Sequence, residues 1–399
     1  MGAEIKGMIS LLILNLSIAT MVSGFIGGPA IVYLTPRNSI RKLILANGFW
    51  SLLSAGLVTS LLLWSELLTS IDASRFFRMA FAECLIVTNL MILLGKERIA
   101  SHNVIQICKT AITVALLGAF LYFYESNFQL FIDAYEISLI ISLILSSILI
   151  LPYLGGGVKS SFLKTIKSSF SYGSIVQIGN LAQLLNYRIG YYVLEIIISP
   201  PQVALVRIGI FSATLQIAEA LWQFTRSVNT VQYASMSNIS DRTKGLVLST
   251  KLVRLNYSVT GLGIIILLSI PSSLYIFILG EEFGEIKNHL FYLAPGIFAL
   301  AFGGGINHFF AGMGQHRFNT YSSLIGLAIS LALVYPFTFF LGTYGVALTT
   351  SIVYVFQAAI QCYFLKKTDQ VQLDMFLLSQ ADIKELRSGL LSVWNRILR

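Results

Sequence analysis

Charge is what this sequence has least of. Of 399 residues, 11 % are Asp, Glu, Lys or Arg and 56 % are hydrophobic, whereas a soluble domain carries roughly 25 % charged residues. At a mean hydropathy of +0.77 the chain cannot supply a water-facing skin for its own volume, so it belongs in lipid. A cytosolic enzyme, a nucleic-acid reader and a secreted disulfide scaffold are thereby excluded, and no nucleic-acid partner is expected despite the formal charge of +9. Cysteine is scarce. Cys84, Cys108 and Cys362 lie inside apolar runs without CxxC spacing and read as small buried hydrophobes. The four histidines, His102, His289, His308 and His316, are too scattered for a metal site. Enzyme signatures are missing as well. There is no HExxH and no GxSxG elbow, and Gly157-Val158-Lys159-Ser160 lacks the glycine that precedes the lysine of a phosphate-binding loop. The first apolar stretch runs past any plausible cleavage site, so no cleavable signal is expected.

What is present is a succession of apolar runs. Crossing ~30 Å of hydrocarbon takes about 20 helical residues, and eleven runs qualify: 8–34, 43–64, 76–95, 103–124, 131–153, 170–195, 203–225, 253–279, 287–312, 318–341 and 344–366. The sixth is the weakest by hydropathy. The expected fold is an all-α polytopic membrane protein with eleven transmembrane helices in two bundles. Gly155-Gly156-Gly157 separates five spans from six. That gives an N-terminal bundle over 1–155, a C-terminal bundle over 156–366 and a tail over 367–399.

Lys109, Arg188 and Arg207 lie within spans, and Lys6, Arg75, Arg78 and Lys287 in one set of alternate loops. The other 20 of the 27 Lys and Arg residues lie in the opposite set and the tail. Cytoplasmic loops carry the Lys/Arg excess, which places the C-terminus in the cytoplasm and, with an odd number of spans, the N-terminus outside. That parity suggests a six-plus-six plan lacking its first helix. Within 380–399, Ile383, Leu386, Leu390, Trp394 and Ile397 form a stripe opposite Lys384, Arg387 and Arg396, and Ser379 and Asp382 suit a capping box. This segment is expected to be an amphipathic helix lying on the membrane surface.

The middle of the chain resembles a known family. Asn186-Tyr187-Arg188-Ile189-Gly190-Tyr191-Tyr192-Val193-Leu194, Val203 to Ile208 and Ala218-Glu219-Ala220-Leu221-Trp222 look like the seventh and eighth helices of bacterial Wzx-type O-antigen flippases. Those belong to the multidrug/oligosaccharidyl-lipid/polysaccharide (MOP) exporter superfamily. Leu279-Gly280-Glu281-Glu282-Phe283, Leu293-Ala294-Pro295-Gly296, Gly312-Met313-Gly314 and Gly342-Thr343-Tyr344-Gly345-Val346-Ala347-Leu348 resemble its C-terminal half in order and spacing. Gly24 to Ala30 and Arg37 resemble the end of its second helix. The family's first helix has no counterpart here, and an acidic residue common after the seventh-helix arginine is here Gly190.

The resemblance implies a multi-pass protein of the bacterial inner membrane. It would flip an undecaprenyl-diphosphate-linked oligosaccharide from the cytoplasmic to the periplasmic leaflet, with two bundles opening alternately to each side. Its partners would be that glycan carrier, membrane lipid, and a polysaccharide polymerase and chain-length regulator. No cofactor is implied; without an ATPase site, energy comes from a proton or sodium gradient or from the substrate's own gradient.

The residues themselves nominate the site. Ionisable groups within spans are functional candidates by default. Arg188 shares a helix face with Ser174, Gln177, Asn180, Tyr187 and Tyr191, a polar stripe that lines either a wet cavity or a polar bundle core. Lys109 and Arg207 either join that cavity or snorkel to the interface. Arginine grips two phosphate oxygens at once, and amides and tyrosines beside it suit sugar hydroxyls. The substrate-binding candidates are therefore Arg188, Lys109, Arg207, Gln177, Asn180, Tyr187 and Tyr191.

Glu219, on a face with Ser212, Gln216, Gln223 and Arg226, either couples to an ion or forms a static pair with Arg226 or Lys109. Glu83 either couples or pairs with Arg75 or Arg78, while Glu136 reads as interfacial. Gly27-Gly28-Pro29, Pro271, Pro295 and Pro336 are expected to interrupt helices, and Gly303-Gly304-Gly305 to let backbones approach. Two other classes remain. A drug/cation antiporter of the same superfamily would prefer acidic cavity residues, and a membrane polysaccharide polymerase would need a larger external loop.

Overall fold

The computed structural model describes residues 2–35, 39–68, 71–124, 127–155, 162–238, 242–369 and 373–378. Among them the regular elements are helical. In chain order they are α1 (Ala3–Gly27), α2 (Pro29–Leu34), α3 (Ile40–Trp64), α4 (Ala73–Gly95), α5 (Ile99–Phe123), α6 (Phe128–Ile150), α7 (Phe162–Ile197), α8 (Pro201–Asn238), α9 (Arg242–Ser269), α10 (Ser272–Leu279), α11 (Ile286–Gly312), α12 (His316–Leu341) and α13 (Thr343–Asp369). Short 3-10 turns cover Leu151–Tyr153, Glu281–Phe283 and Leu373–Phe376. The tail stripe of 380–399, with Ser379 and Asp382, lies outside the described residues.

Ten of these helical stretches are long and apolar enough to cross a membrane, and the chain is a multi-pass membrane protein. The sixth expected span is also helical, and at 36 residues α7 has ample length; its polar side chains keep it out of the ten. Two expected runs prove to be broken helices. In 8–34, Pro29 has no N–H to offer the Phe25 carbonyl, so α1 stops at Gly27 and α2 restarts with proline at its first turn. In 253–279, Pro271 ends α9 and caps α10. Pro295 and Pro336, in contrast, are accommodated inside α11 and α12.

By contact density the chain divides into two compact units, Met1–Leu184 and Leu185–Arg399. This division falls inside α7, beyond the Gly155-Gly156-Gly157 connection. In the first unit α4 is central, packing on α1, α2, α3, α5 and α6. Leu12, Leu16, Val58, Phe76, Met79, Ile132 and Leu139 form its main core. One end of α4 is fixed electrostatically. Asp72 caps it, accepting the Ser74 and Arg75 amides. The Ser74 hydroxyl, at 2.5 Å, is the main reason that the Asp72 carboxyl is held below the usual carboxylate range. Arg75 ties α4 to α6 through Asp133 at 2.5 Å and Glu136 at 2.7 Å. α5 is the least embedded helix of this unit, with Ile105 its one buried residue.

In the second unit α11 is central, packing on α8, α9 and α13. A Cβ at Gly296 would lie 2.5 Å from the Ser351 Cα, so only glycine permits this approach of α11 to α13. Ser351 uses it, accepting the Gly296 amide at 3.0 Å and donating to the Tyr292 carbonyl at 2.6 Å. Gly303 and Gly305 face Gln361 and Val253 at similarly short range, as the glycine run suggests.

Candidate functional site

Each of the three cations that the sequence places within spans meets a carboxylate. In the second unit, Arg188 of α7 donates through Nη2 to Glu219 Oε1 of α8 at 2.5 Å, and through Nη1 to the Tyr191 hydroxyl at 3.1 Å. About a fifth of the Arg188 side chain and a third of that of Glu219 remain exposed (21 % and 31 %). The pair is therefore not sealed within its unit. Arg207 of α8 sends Nη1 to both oxygens of Glu285, at 2.8 and 2.7 Å. In the first unit, Lys109 of α5 donates to Glu83 of α4 at 2.6 Å, with its ammonium 5.8 Å from the Tyr135 ring centroid.

These partners correct the sequence expectations. Glu219 pairs with Arg188 rather than with Lys109, which meets Glu83; the side chain of Arg226 lies outside the described residues. Glu83 pairs with Lys109, because Arg75 and Arg78 are taken by Asp133 and Glu136. Glu136, near the start of α6, bridges Arg75 and Arg78. Glu285, the partner of Arg207, was not singled out from the sequence; the 78 residues between them leave no local signal.

The polar face of α7 does not act as one surface. Gln177 is 3 % exposed and donates to the Met21 carbonyl of α1 at 2.8 Å, a packing contact. Asn180, one turn on, is exposed and donates to Gln177 Oε1 at 3.4 Å. In the second unit, Tyr191 is buried with its ring edge-on to Phe211 at 6.1 Å, and Tyr187 is edge-on to Tyr354 at 5.5 Å. Gly190 faces α13, where a Cβ would lie 2.1 Å from Val346 Cγ1. That space is filled, so an acidic side chain would have no room here.

A small pocket of about 20 Å³, room for little more than one water molecule, opens beside Glu219, lined by Leu215, Ala218 and Glu219 of α8, Thr260 of α9, Ile297, Leu300 and Ala301 of α11 and Tyr354 of α13. Most of this wall is apolar. Glu219 is the carboxylate on it, and Thr260 Oγ1 is a buried oxygen with no hydrogen-bond partner. Thr260 and Tyr354 carry no pattern that marks them in the sequence.

Deeper in the unit, His289 is fully buried. It lies within 2.8 Å of the Glu285 carbonyl through Nδ1 and 2.7 Å of the Thr343 hydroxyl through Nε2, so the imidazole is satisfied as a packing element.

No protein-family model and no curated protein matches the chain. Solved structures do. The inward-facing conformation of a multidrug resistance MATE family transporter of the MOP superfamily aligns over 92 % of this chain and 92 % of its own, with TM-score 0.71 and 13 % identity. The outward-facing conformation of such a transporter aligns over 91 % and 85 %, with TM-score 0.60 and 13 % identity. A MOP superfamily transporter from Pyrococcus furiosus, described by a reversed polarity of its binding pocket that suggests a different function, aligns over 94 % and 86 %, with TM-score 0.58 and 14 % identity. At such identities the likeness is one of architecture, and the chain has the fold of the MATE transporters.

Proposed function

We propose that this chain is an alternating-access transporter of the bacterial inner membrane, with its C-terminus cytoplasmic. Its cargo in this reading is an undecaprenyl-diphosphate-linked oligosaccharide, moved from the cytoplasmic to the periplasmic leaflet. Fold alone does not give cargo. The observation that carries the reading is the Arg188–Glu219 pair, whose Glu219 lines a small pocket, together with the fold likeness to transporters in both inward- and outward-facing conformations.

The geometry suggests a competition. Glu219 occupies the Nη2 edge of the guanidinium, the edge that a diphosphate needs for a bidentate grip. While Glu219 is charged, Arg188 is held. Binding a proton or a sodium ion at Glu219 frees the guanidinium, which then takes the diphosphate, and release of that cation returns Arg188 to Glu219 and expels the anion. Tyr187 and Tyr191 orient the arginine. Arg207 serves as a secondary cation once Glu285 yields, whereas Gln177 and Lys109, held by the Met21 carbonyl and Glu83, are packing elements of the first unit. A polysaccharide polymerase and a chain-length regulator are the partners that would consume the product.

A second reading rests on the same carboxylate: Glu219, beside apolar walls, also suits a lipophilic cation, as in a drug antiporter. Mutation separates the two. Under the flippase reading, Arg188→Ala abolishes surface polysaccharide at unchanged protein level and Arg188→Lys restores part of it. Normal polysaccharide in the Ala variant removes the assignment.

A further inference from the structure

α9 is thinly attached to the rest of the second unit. In its most apolar stretch 17 % of the residues are buried, against 50 % for the span that contains α11 and 61 % for α8 and α13. Its buried residues are Gly245, Ser249, Thr250, Val253, Asn256 and Thr260. They are small or polar, and Val253 is the one aliphatic side chain among them. Such a seam lets backbones approach but offers little apolar area to hold them together. At its far end α9 stops at Pro271, so no continuous helix stiffens it there.

A segment from beyond α13 adds to the hold. The 3-10 turn Leu373–Phe376 packs on α9. Phe376 is buried, while Met375, Leu377 and Leu378 beside it are exposed. The Phe376 ring joins a core with Val253 of α9, Ile306 and Phe309 of α11 and Leu365 of α13, and meets the Phe302 ring edge-on at 5.3 Å. Tyr257 donates its hydroxyl to the Phe376 carbonyl at 2.7 Å, and Arg254 donates to the Leu377 carbonyl at 3.4 Å. Arg242, at the start of α9, donates to Asp369 at the end of α13 through Nε and Nη2.

One ring and two bonds to backbone carbonyls are a small hold, of the kind that opens before a bundle core does. It acts where opening has a consequence. Thr260 lies one turn beyond Tyr257 on α9 and forms the α9 side of the pocket beside Glu219. Tyr257 also packs on Phe298, its ring 5.5 Å away, next to the pocket residue Ile297.

We propose that residues 373–378 are a latch on α9. With Phe376 seated, α9 is held against α11 and the Glu219 pocket is closed on its Thr260 side; with Phe376 lifted, α9 moves off and that side opens. The consequence for transport rests on the reading of Glu219 given above, but the latch itself does not.

The test is the rate at which N-ethylmaleimide labels Thr260→Cys in the purified full chain in detergent, followed at that position by peptide mass spectrometry. With the native tail the reaction should be slow, since Thr260 is 2 % exposed. Phe376→Ala should accelerate it at least fivefold. Labelling of Cys84 in the first unit and of Ser330→Cys on α12, both buried, should not change. A smaller acceleration at position 260 overturns the proposal, and so does an equal one at the two controls, which would report general loosening. Should Phe376→Ala fail to fold, Tyr257→Phe decides: it keeps the ring and loses the bond to the Phe376 carbonyl, and should accelerate labelling at least twofold, with no acceleration counting against the latch. No cargo enters this measurement. A negative result therefore leaves the transport reading standing, and normal polysaccharide in Arg188→Ala leaves the latch standing.

Discussion

Both units set a half-buried cation against a glutamate, but in different surroundings. Lys109–Glu83 sits between α4 and α5 beside the Tyr135 ring, and Glu83 Oε2 is buried with no hydrogen-bond partner. Arg188–Glu219 sits between α7 and α8, keeps a hydrogen bond to Tyr191, and borders a small pocket. A buried ion pair whose remaining lone pairs are unsatisfied recovers little of its desolvation cost. The first pair therefore acts as a packed element of its bundle that hydrophobic side chains could replace, whereas the second is placed to exchange partners. Charge within a span marks a residue for attention; its neighbours decide what it can do.

The largest expected effect sharpens this contrast. Arg188→Ala should reduce substrate translocation on the order of a hundredfold or more, the scale of the ~3 kcal/mol lost with a buried charge contact. The paired variant Lys109→Met with Glu83→Leu should leave translocation within about threefold of wild type, since the fixed pair is structural in this comparison. A flipping assay in vesicles measures both, and a dead paired variant would promote Lys109 to the transport site. Next comes stability. Lys109→Met alone strands Glu83 and should cost about 3–5 kcal/mol, while the paired variant should recover most of it, as read from unfolding in detergent.

Smaller again is Gly190→Ala, which presses a methyl group on Val346 and should cost about 1–3 kcal/mol; a neutral result would show that α7 and α13 separate readily there. Arg207–Glu285, 38 % exposed on both sides, should matter least. Arg207→Ala is expected to cost below about 1 kcal/mol and to lose even that effect in high salt.

The Asp72 cap gives a pH-dependent control outside the membrane. Its carboxyl titrates below the usual range in the folded chain, so its contribution is present above the unfolded pKa and fades as pH falls through the folded one. Asp72→Ala should remove that acid-side dependence, seen by following unfolding against pH.

The architecture was largely legible in the sequence, because lipid leaves the backbone few choices. Runs of about 20 apolar residues must be helices, and Pro29 and Pro271 fall where two of them break. α7 was the weak span for the reason that makes it interesting, its stripe of polar side chains. The site was less legible. The face of α7 gave Arg188, but periodicity could not tell that Gln177 turns to α1 while Arg188 meets α8. Partners were the hidden quantity. Arg188 and Glu219 are 31 residues apart and Lys109 and Glu83 are 26 apart, and which faces meet depends on how neighbouring helices are rotated, which no single helix encodes. Proximity in sequence gave Arg75 and Arg78 to Glu83, and α6 competed successfully for both. The pocket wall was invisible for a similar cause: Leu215, Ile297 and Ala301 look like any other span residues.

Binding of inorganic pyrophosphate to the purified chain at one fixed pH tests the partner exchange at Arg188 most directly. Glu219→Gln should bind at least tenfold more tightly than wild type, and Arg188→Ala should not bind. Unchanged binding in Arg188→Ala, or weaker binding in Glu219→Gln, would contradict the account.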